Sequence, residues 1–204
     1  MIKISEFRIF LNEILTPLRL IIPQPMVAKI PLLMTNKEIR INLTLEIIRG
    51  NTLDIGCGEN ELIKEYRNRG GIGIGLDVYD WGGQDLLVED TSKLPFDDNS
   101  FNTVTFIASF NHIPNRNDVL LEVMRILKKD GLLVISNLTP FISRIWHFLS
   151  RSWDKDQRER GMVEGEVYGF RSKELIEMVR EAGFIFEKRL KFSWWFNNLF
   201  IFQK

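Results

Sequence analysis

"LDIGCGEN", Leu53 to Asn60, sets an Asp between apolar residues, then two glycines one residue apart, then acids. A short apolar run ending on Gly-x-Gly reads as a buried strand whose chain turns tightly and lets a ligand approach the backbone without meeting a Cβ. Working outward, "NTLDI" (Asn51–Ile55) is that strand. Glu61–Arg69 reads as a helix, with Leu62, Ile63 and Tyr66 inward and Gly70 as its stop. "GIGIGLDV" (Gly71–Val78) is a second buried strand whose glycines invite close packing by a neighbouring helix. Asp77 closes it roughly 20 residues beyond the loop, where an acid can accept hydrogen bonds from ribose hydroxyls.

The flanks repeat the alternation. Thr35 and Glu38 form a capping box for a helix over Thr35–Gly50, with Ile39, Leu43 and Ile47 on one face and Gly50 as the stop. After a loop holding one short apolar segment, Leu86–Val88, come a strand at Asn102–Ser109, an amphipathic helix at Asp118–Lys129 ended by Gly131, and a strand at Leu132–Leu138. Ser172 caps a helix running through Ala182. Phe184–Phe192 and Leu199–Phe202 read as two strands joined by "SWWFNN". Alternating strands and helices imply an α/β, doubly wound sheet of about seven strands, mostly parallel and covered on both faces. So short a final connection permits only an antiparallel pair, so the last strand is antiparallel.

The 204 residues fit a single domain. Its parts are an N-terminal cap (1–50), a cofactor-binding core (51–136), a substrate-side insertion (137–170) and a C-terminal helix with a strand pair (171–204). Lys+Arg and Asp+Glu are equal at 27 each, without the basic excess of a general nucleic-acid binder. Cys57 is the only cysteine, so no intramolecular disulfide forms and a cytoplasmic location is expected. Phe7–Met34 is apolar, but Arg8, Glu13, Arg19 and Lys29 interrupt it and Pro17, Pro23, Pro25 and Pro31 break it. It therefore reads as short helical or irregular cover, not as a membrane span or a secretory signal.

The loop discriminates between cofactors. A dinucleotide site wants a third glycine so that pyrophosphate can reach a helix N-terminus; Glu61 stands there, and Glu59 and Glu61 disfavour phosphate. A phosphate-free cofactor carrying positive charge suits the loop better, and S-adenosylmethionine is one.

"LDIGCGEN", "GLDV", "EDTSKLPFDDNSFNTV" and "EVMRILKKDGLLVIS", in this order, resemble the class I S-adenosylmethionine-dependent methyltransferases, closest to the group that includes ubiquinone- and menaquinone-biosynthesis-type small-molecule enzymes. The resemblance covers about Leu53 to Ser136 and implies a Rossmann-like fold. It further implies that Asp54 and the backbone of Gly56, Cys57 and Gly58 hold the methionine end. Asp77 would take the ribose hydroxyls, with Val78 against the adenine. Asp90, with the backbone of Thr91 and Ser92, would meet the adenine amino group, and Ser109 would lie near the methionine portion. Asn60 and Asn102 depart from the usual Gly and Asp; Asn tolerates the left-handed backbone a turn needs there.

Methyl transfer from a sulfonium needs mainly placement and exclusion of water, with a base only where the nucleophile must lose a proton. His112, in the loop after the fourth strand, is the candidate base; His147 reads as structural. No His/Cys/Asp/Glu set has metal-ligand spacing. Phe110, Trp146 and Tyr168 are candidate substrate contacts. Phe141, Phe148 and Trp153 add apolar surface, Arg144 and Arg151 could meet an anionic group, and the run Asp154–Arg160 reads as a solvated face. The expected function is methyl transfer from S-adenosylmethionine to a small, apolar or amphipathic acceptor, with transient contact to a membrane surface and no nucleic acid. The alternative is a non-catalytic regulator that keeps the cofactor pocket.

Overall fold

A computed structural model describes residues 6–150 and 164–204. Arg151, Trp153 and the run Asp154–Arg160 lie outside the described residues. The sheet has seven strands: β1 (Asn51–Ile55), β2 (Ile72–Asp77), β3 (Leu86–Leu87), β4 (Phe101–Ile107), β5 (Leu127–Leu138), β6 (Ile185–Phe192) and β7 (Asn197–Gln203). Their order is β3-β2-β1-β4-β5-β7-β6. β1 to β5 pair in parallel, and β7 runs antiparallel to both β5 and β6. The expected single reversed strand is therefore present, but it is inserted between β5 and β6.

Alternate residues of the strands face opposite layers. Leu133, Ile135, Phe200 and Phe202 join a core with α6 (Arg116–Ile126) and α8 (Ser172–Glu181), through Val119, Leu120, Val123, Leu175 and Val179. Val134, Leu199 and Ile201 face Met34 and Ile39 on the other side. There α4 (Asn36–Leu45) and α5 (Glu61–Asn68) cover the sheet. α5 lies close because β2 presents glycines to it: a Cβ on Gly73 would stand 3.0 Å from Ile63 Cδ1, and Gly75 faces the Asn60 side chain.

Several element ends differ from the sequence reading. The capping box of α4 forms, with Glu38 N–H donating to Thr35 Oγ1 at 3.1 Å and Thr35 N–H to Glu38 Oε2 at 2.6 Å. The helix nonetheless stops at Leu45, and Gly50 (φ +62°) serves the turn into β1. α6 ends at Ile126, before Gly131, because Leu127 already pairs with Phe101 on β4; a register shift follows between Phe101 and Thr103. Ser172 does not cap α8. It is the first helical residue, and its hydroxyl accepts from Arg189 Nη1 at 2.6 Å.

The N-terminal segment forms α1 (Glu6–Ile14), α2 (Thr16–Ile21) and α3 (Gln24–Val27). Among the described residues no helix is long and apolar enough to cross a membrane. A wholly buried guanidinium ties the segment down: Arg19 donates to Met34 O (2.7 Å), Asn12 O (2.9 Å) and Asn36 Oδ1 (2.9 Å). Glu13 accepts from the backbone of Ser193 and Trp194 in the β6–β7 turn, at 2.7 and 3.2 Å. The cap is thus fastened to the start of α4 and to the β6–β7 turn.

Candidate functional site

A cavity of about 980 Å³ opens over the carboxyl ends of β1, β2, β4 and β5. It lies at the upper end of the size of small-molecule sites. Gly56, Gly58, Asp77, Val78, Asp90, Thr91, Ser109, His112, Trp146 and Tyr168 line it, as do Arg40, Glu166 and Phe196.

The loop after β1 is held by the end of β2. Gly56 and Cys57 both donate to Leu76 O, at 2.9 and 3.0 Å, and Gly58 N–H donates to Asp77 Oδ2 at 2.9 Å. Asp77 Oδ1 accepts from Val78 and Tyr79 N–H at 2.8 and 3.1 Å. Gly56 and Gly58 have φ of +72° and +56°, and Asn60 follows at +63°, the left-handed turn its side chain tolerates. A Cβ on Gly58 would meet nothing within 4 Å, so this stretch of bare backbone faces open cavity. That fits a cofactor that approaches the main chain. The loop's acids are not left bare: Lys37 pairs with Glu61 at 2.7 Å and Glu59 at 3.7 Å. The absent third glycine therefore weighs more against pyrophosphate than the loop's charge does.

Asp90 accepts from Ser92 N–H (2.9 Å), Ser92 Oγ (2.8 Å) and Asn115 Nδ2 (3.3 Å). These hydrogen bonds, led by that of the Ser92 backbone, hold its carboxyl below the usual carboxylate range. Ser92 thus orients Asp90 and does not itself line the wall. Ser109 Oγ donates to Ile55 O at 2.6 Å, locking the end of β4 to the end of β1. Ala108, just before it, carries φ +61°, a backbone outlier in the cavity wall that the sequence did not signal.

Three side chains of the expected site lie behind the wall, although for Cys57 only the backbone was expected to meet a ligand. Phe110 is fully buried between Phe106 and Phe170, at ring distances of 5.1 and 5.7 Å, so it is a core side chain and not a substrate contact. The Cys57 side chain turns from the cavity, and burial pushes its thiol pKa up, leaving it unreactive. Asp54 is buried beneath the loop, accepting from Thr105 Oγ1 at 2.6 Å. Burial pushes its pKa up to about 7.

An acid whose pKa is raised by folding stabilises the fold while it is protonated in both states; that contribution is lost as pH rises from 3.8 to about 7. Asp54→Asn removes the loss. The melting-temperature difference between variant and native protein should widen in the variant's favour up to about pH 7 and then level off. A constant difference between pH 4.5 and 8.5 would show that Asp54 ionises normally.

His112 is the candidate base with a built environment. Its Nδ1 stands 3.0 Å from Glu166 Oε2, a carboxylate only 1% exposed. Glu166 lies far away in sequence, which is why the sequence did not find it. His147, expected to be structural, also lines the cavity: its ring is 6.2 Å from that of His112 and 5.4 Å from that of Tyr168. Arg144 does not project into the cavity; its guanidinium lies 5.3 Å from the Tyr168 ring centroid. Among the described residues no three His, Cys, Asp or Glu side chains gather as a metal site.

A seven-stranded sheet with this order, a glycine loop after β1 and an acid ending β2 define an α/β domain of the Rossmann-like class. Residues 53–135 match the family model described as "Methyltransferase domain". A demethylmenaquinone methyltransferase of Thermotoga maritima is 30% identical over 116 residues, 49% of this chain and 50% of that protein. A ubiquinone/menaquinone biosynthesis C-methyltransferase of Desulfotalea psychrophila is 32% identical over 116 residues, 50% of this chain and 47% of that one. The chain thus spans about half the length of these relatives. The crystal structure of a possible histamine N-methyltransferase of Thermotoga maritima superposes with a TM-score of 0.60 at 19% identity, covering 81% of this chain and 87% of that one. At that identity the likeness concerns the fold.

Proposed function

We propose that the protein binds S-adenosylmethionine at the β1–β2 end of the cavity and transfers its methyl group to a small, apolar or amphipathic acceptor at the β5–β7 end. The observation that carries this is one continuous cavity with two unlike ends. Gly56, Gly58 and Asp77 bound one end; Ile142, Trp146, Tyr168 and Phe196, beside His112 and Glu166, bound the other. S-adenosylmethionine supplies an electrophilic methyl on a sulfonium. The chain's share is positioning, exclusion of water and, where the nucleophile carries one, removal of a proton.

Asp77, already holding Gly58, Val78 and Tyr79, keeps carboxylate acceptor capacity toward the cavity for ribose hydroxyls. Asp90 offers its remaining lone pairs to the adenine amino group. Glu166 orients the His112 ring through Nδ1, leaving the other nitrogen to take a proton from the acceptor. The relatives named for quinone methylation support an acceptor of that lipophilic type. Exposed Phe10, Leu18 and Met26 on the cap, with Phe148 on α7 (Pro140–Ser150), would let such an acceptor pass from a membrane surface.

The test is transfer of tritium from methyl-labelled S-adenosylmethionine into a panel of reduced quinones and sterols, read in the organic phase. Wild-type protein should label at least one. On that acceptor, His112→Ala should lower turnover about 10²-fold or more while affinity for S-adenosylhomocysteine stays within about threefold. Glu166→Gln should cost less. No label in any acceptor, with the cofactor tightly bound, would favour the non-catalytic regulator.

A further inference from the structure

Arg40, on the second turn of α4, stands in the cavity wall. Among the described residues its guanidinium makes a single hydrogen bond, from Nη2 to Asn197 Oδ1 at 3.2 Å. Three other arginines show the contrast. Arg67 holds Asp85, Arg125 holds Glu122 and Asp98, and the donors of buried Arg19 are taken by Met34, Asn12 and Asn36. Arg40 offers five N–H donors and no carboxylate of the described residues pairs with it. Arg40 is half-buried, and desolvation, with no carboxylate of the described residues opposing it, pushes its pKa down to about 10. A guanidinium kept there without a counter-charge is costly unless a ligand supplies one.

Its position says which end of the cavity it serves. Lys37, one turn earlier on α4, reaches Glu61 beyond β1. Arg40 instead reaches Asn197, which opens β7 opposite Leu138 at the end of β5. In the sheet order β1-β4-β5-β7 that is three strand spacings from β1, about 14 Å at ~4.8 Å each. Leu138, which pairs with Asn197, and Phe196, which precedes it, also line the cavity.

We propose that Arg40, steadied by Asn197, is the specificity-determining residue of the acceptor end: it binds a carboxylate-like oxyanion on an amphipathic acceptor whose apolar body lies against Trp146, Tyr168 and Phe196. That the ligand is a methyl acceptor rests on the function proposed above; the anion site itself does not. The other source of the same chemistry is the amino-acid carboxylate of the cofactor, and the experiment separates the two.

Calorimetry with 4-butylbenzoate and its uncharged counterpart 4-butylbenzyl alcohol is run on wild type, Arg40→Gln and Arg40→Lys, with and without S-adenosylhomocysteine. Wild type should prefer the benzoate by at least about tenfold. Arg40→Gln should lose that preference with alcohol affinity unchanged, Arg40→Lys should keep part of it, and S-adenosylhomocysteine affinity should stay within threefold in both. Equal affinity of wild type for the two probes would overturn the proposal. So would a tenfold fall in S-adenosylhomocysteine affinity in Arg40→Gln with the benzoate preference intact, which would assign the guanidinium to the cofactor's carboxylate. A benzoate preference that depends on Arg40 in a protein that binds no S-adenosylhomocysteine would uphold the anion site and sink the methyltransferase reading alone.

Discussion

Gly56→Ala is expected to lower affinity for S-adenosylhomocysteine at least about a hundredfold. Two effects add. The residue has φ +72°, where an L side chain costs about 1–2 kcal/mol. Its new Cβ would stand 2.4 Å from Ser109 Cβ and 2.9 Å from Ser109 Oγ, inside contact distance. Ser109 has little freedom to yield, because its hydroxyl is bound to Ile55 O at 2.6 Å. The loop or the end of β4 must therefore shift, and both are cavity wall. Gly58→Ala separates fold from site: its φ is also positive, but its Cβ would meet nothing within 4 Å. It should lower the melting temperature less than Gly56→Ala and still weaken binding, since the methyl projects into ligand space. Calorimetry beside thermal denaturation reads both effects. Unchanged affinity in a folded Gly56→Ala protein would take the loop out of the binding site.

Asp77→Ala carries the second large effect, at least about a tenfold loss of affinity for S-adenosylhomocysteine. A hydrogen bond to a charged group contributes ~1.5–3 kcal/mol, and here the same carboxylate also fixes the wall. Truncation frees Gly58, Val78 and Tyr79 N–H together, so the glycine loop loses its anchor to β2 as well. Asp77→Asn keeps the shape but only one acceptor oxygen, which can satisfy Val78 and Tyr79 or Gly58, not all three. Its affinity should fall between wild type and Asp77→Ala. Equal affinity across the three proteins would remove Asp77 from the site.

What the sequence showed and what it hid follow from the range of the interactions involved. β1, α5 and β2 were legible because short-range patterns set them: apolar runs, a helical stripe through Leu62 and Ile63, and glycines at the turns. Where an end is set by a distant partner, the local pattern misplaced it. α6 reads through to Gly131, but Leu127 leaves it to pair with Phe101. The place of β7 between β5 and β6 is a matter of strand order, which spacing along the chain does not encode.

The site divides the same way. Asp77 and the glycines stand at strand ends and announce themselves. Glu166 meets His112 from a remote loop, and Arg40 looks from the sequence like one more charge on a helix surface. Phe110 misled because it follows Ser109 directly, while the turn at Ala108 and Ser109 sends its ring into the core and His112 toward the cavity. The sequence sought anion recognition in Arg144 and Arg151, the latter outside the described residues; among the described residues the arginine that lines the cavity is Arg40.

On the proposed function this cavity takes S-adenosylmethionine and not a dinucleotide. The most direct measurement is calorimetric titration of the wild-type protein with S-adenosylmethionine, S-adenosylhomocysteine and NAD under one buffer and salt. Saturable one-to-one binding of the first two is expected, with NAD at least about a hundredfold weaker, because Glu61 occupies the place where pyrophosphate would need a third glycine. NAD binding as tight as that of S-adenosylhomocysteine, or no binding of either sulfur compound by the folded protein, would contradict it.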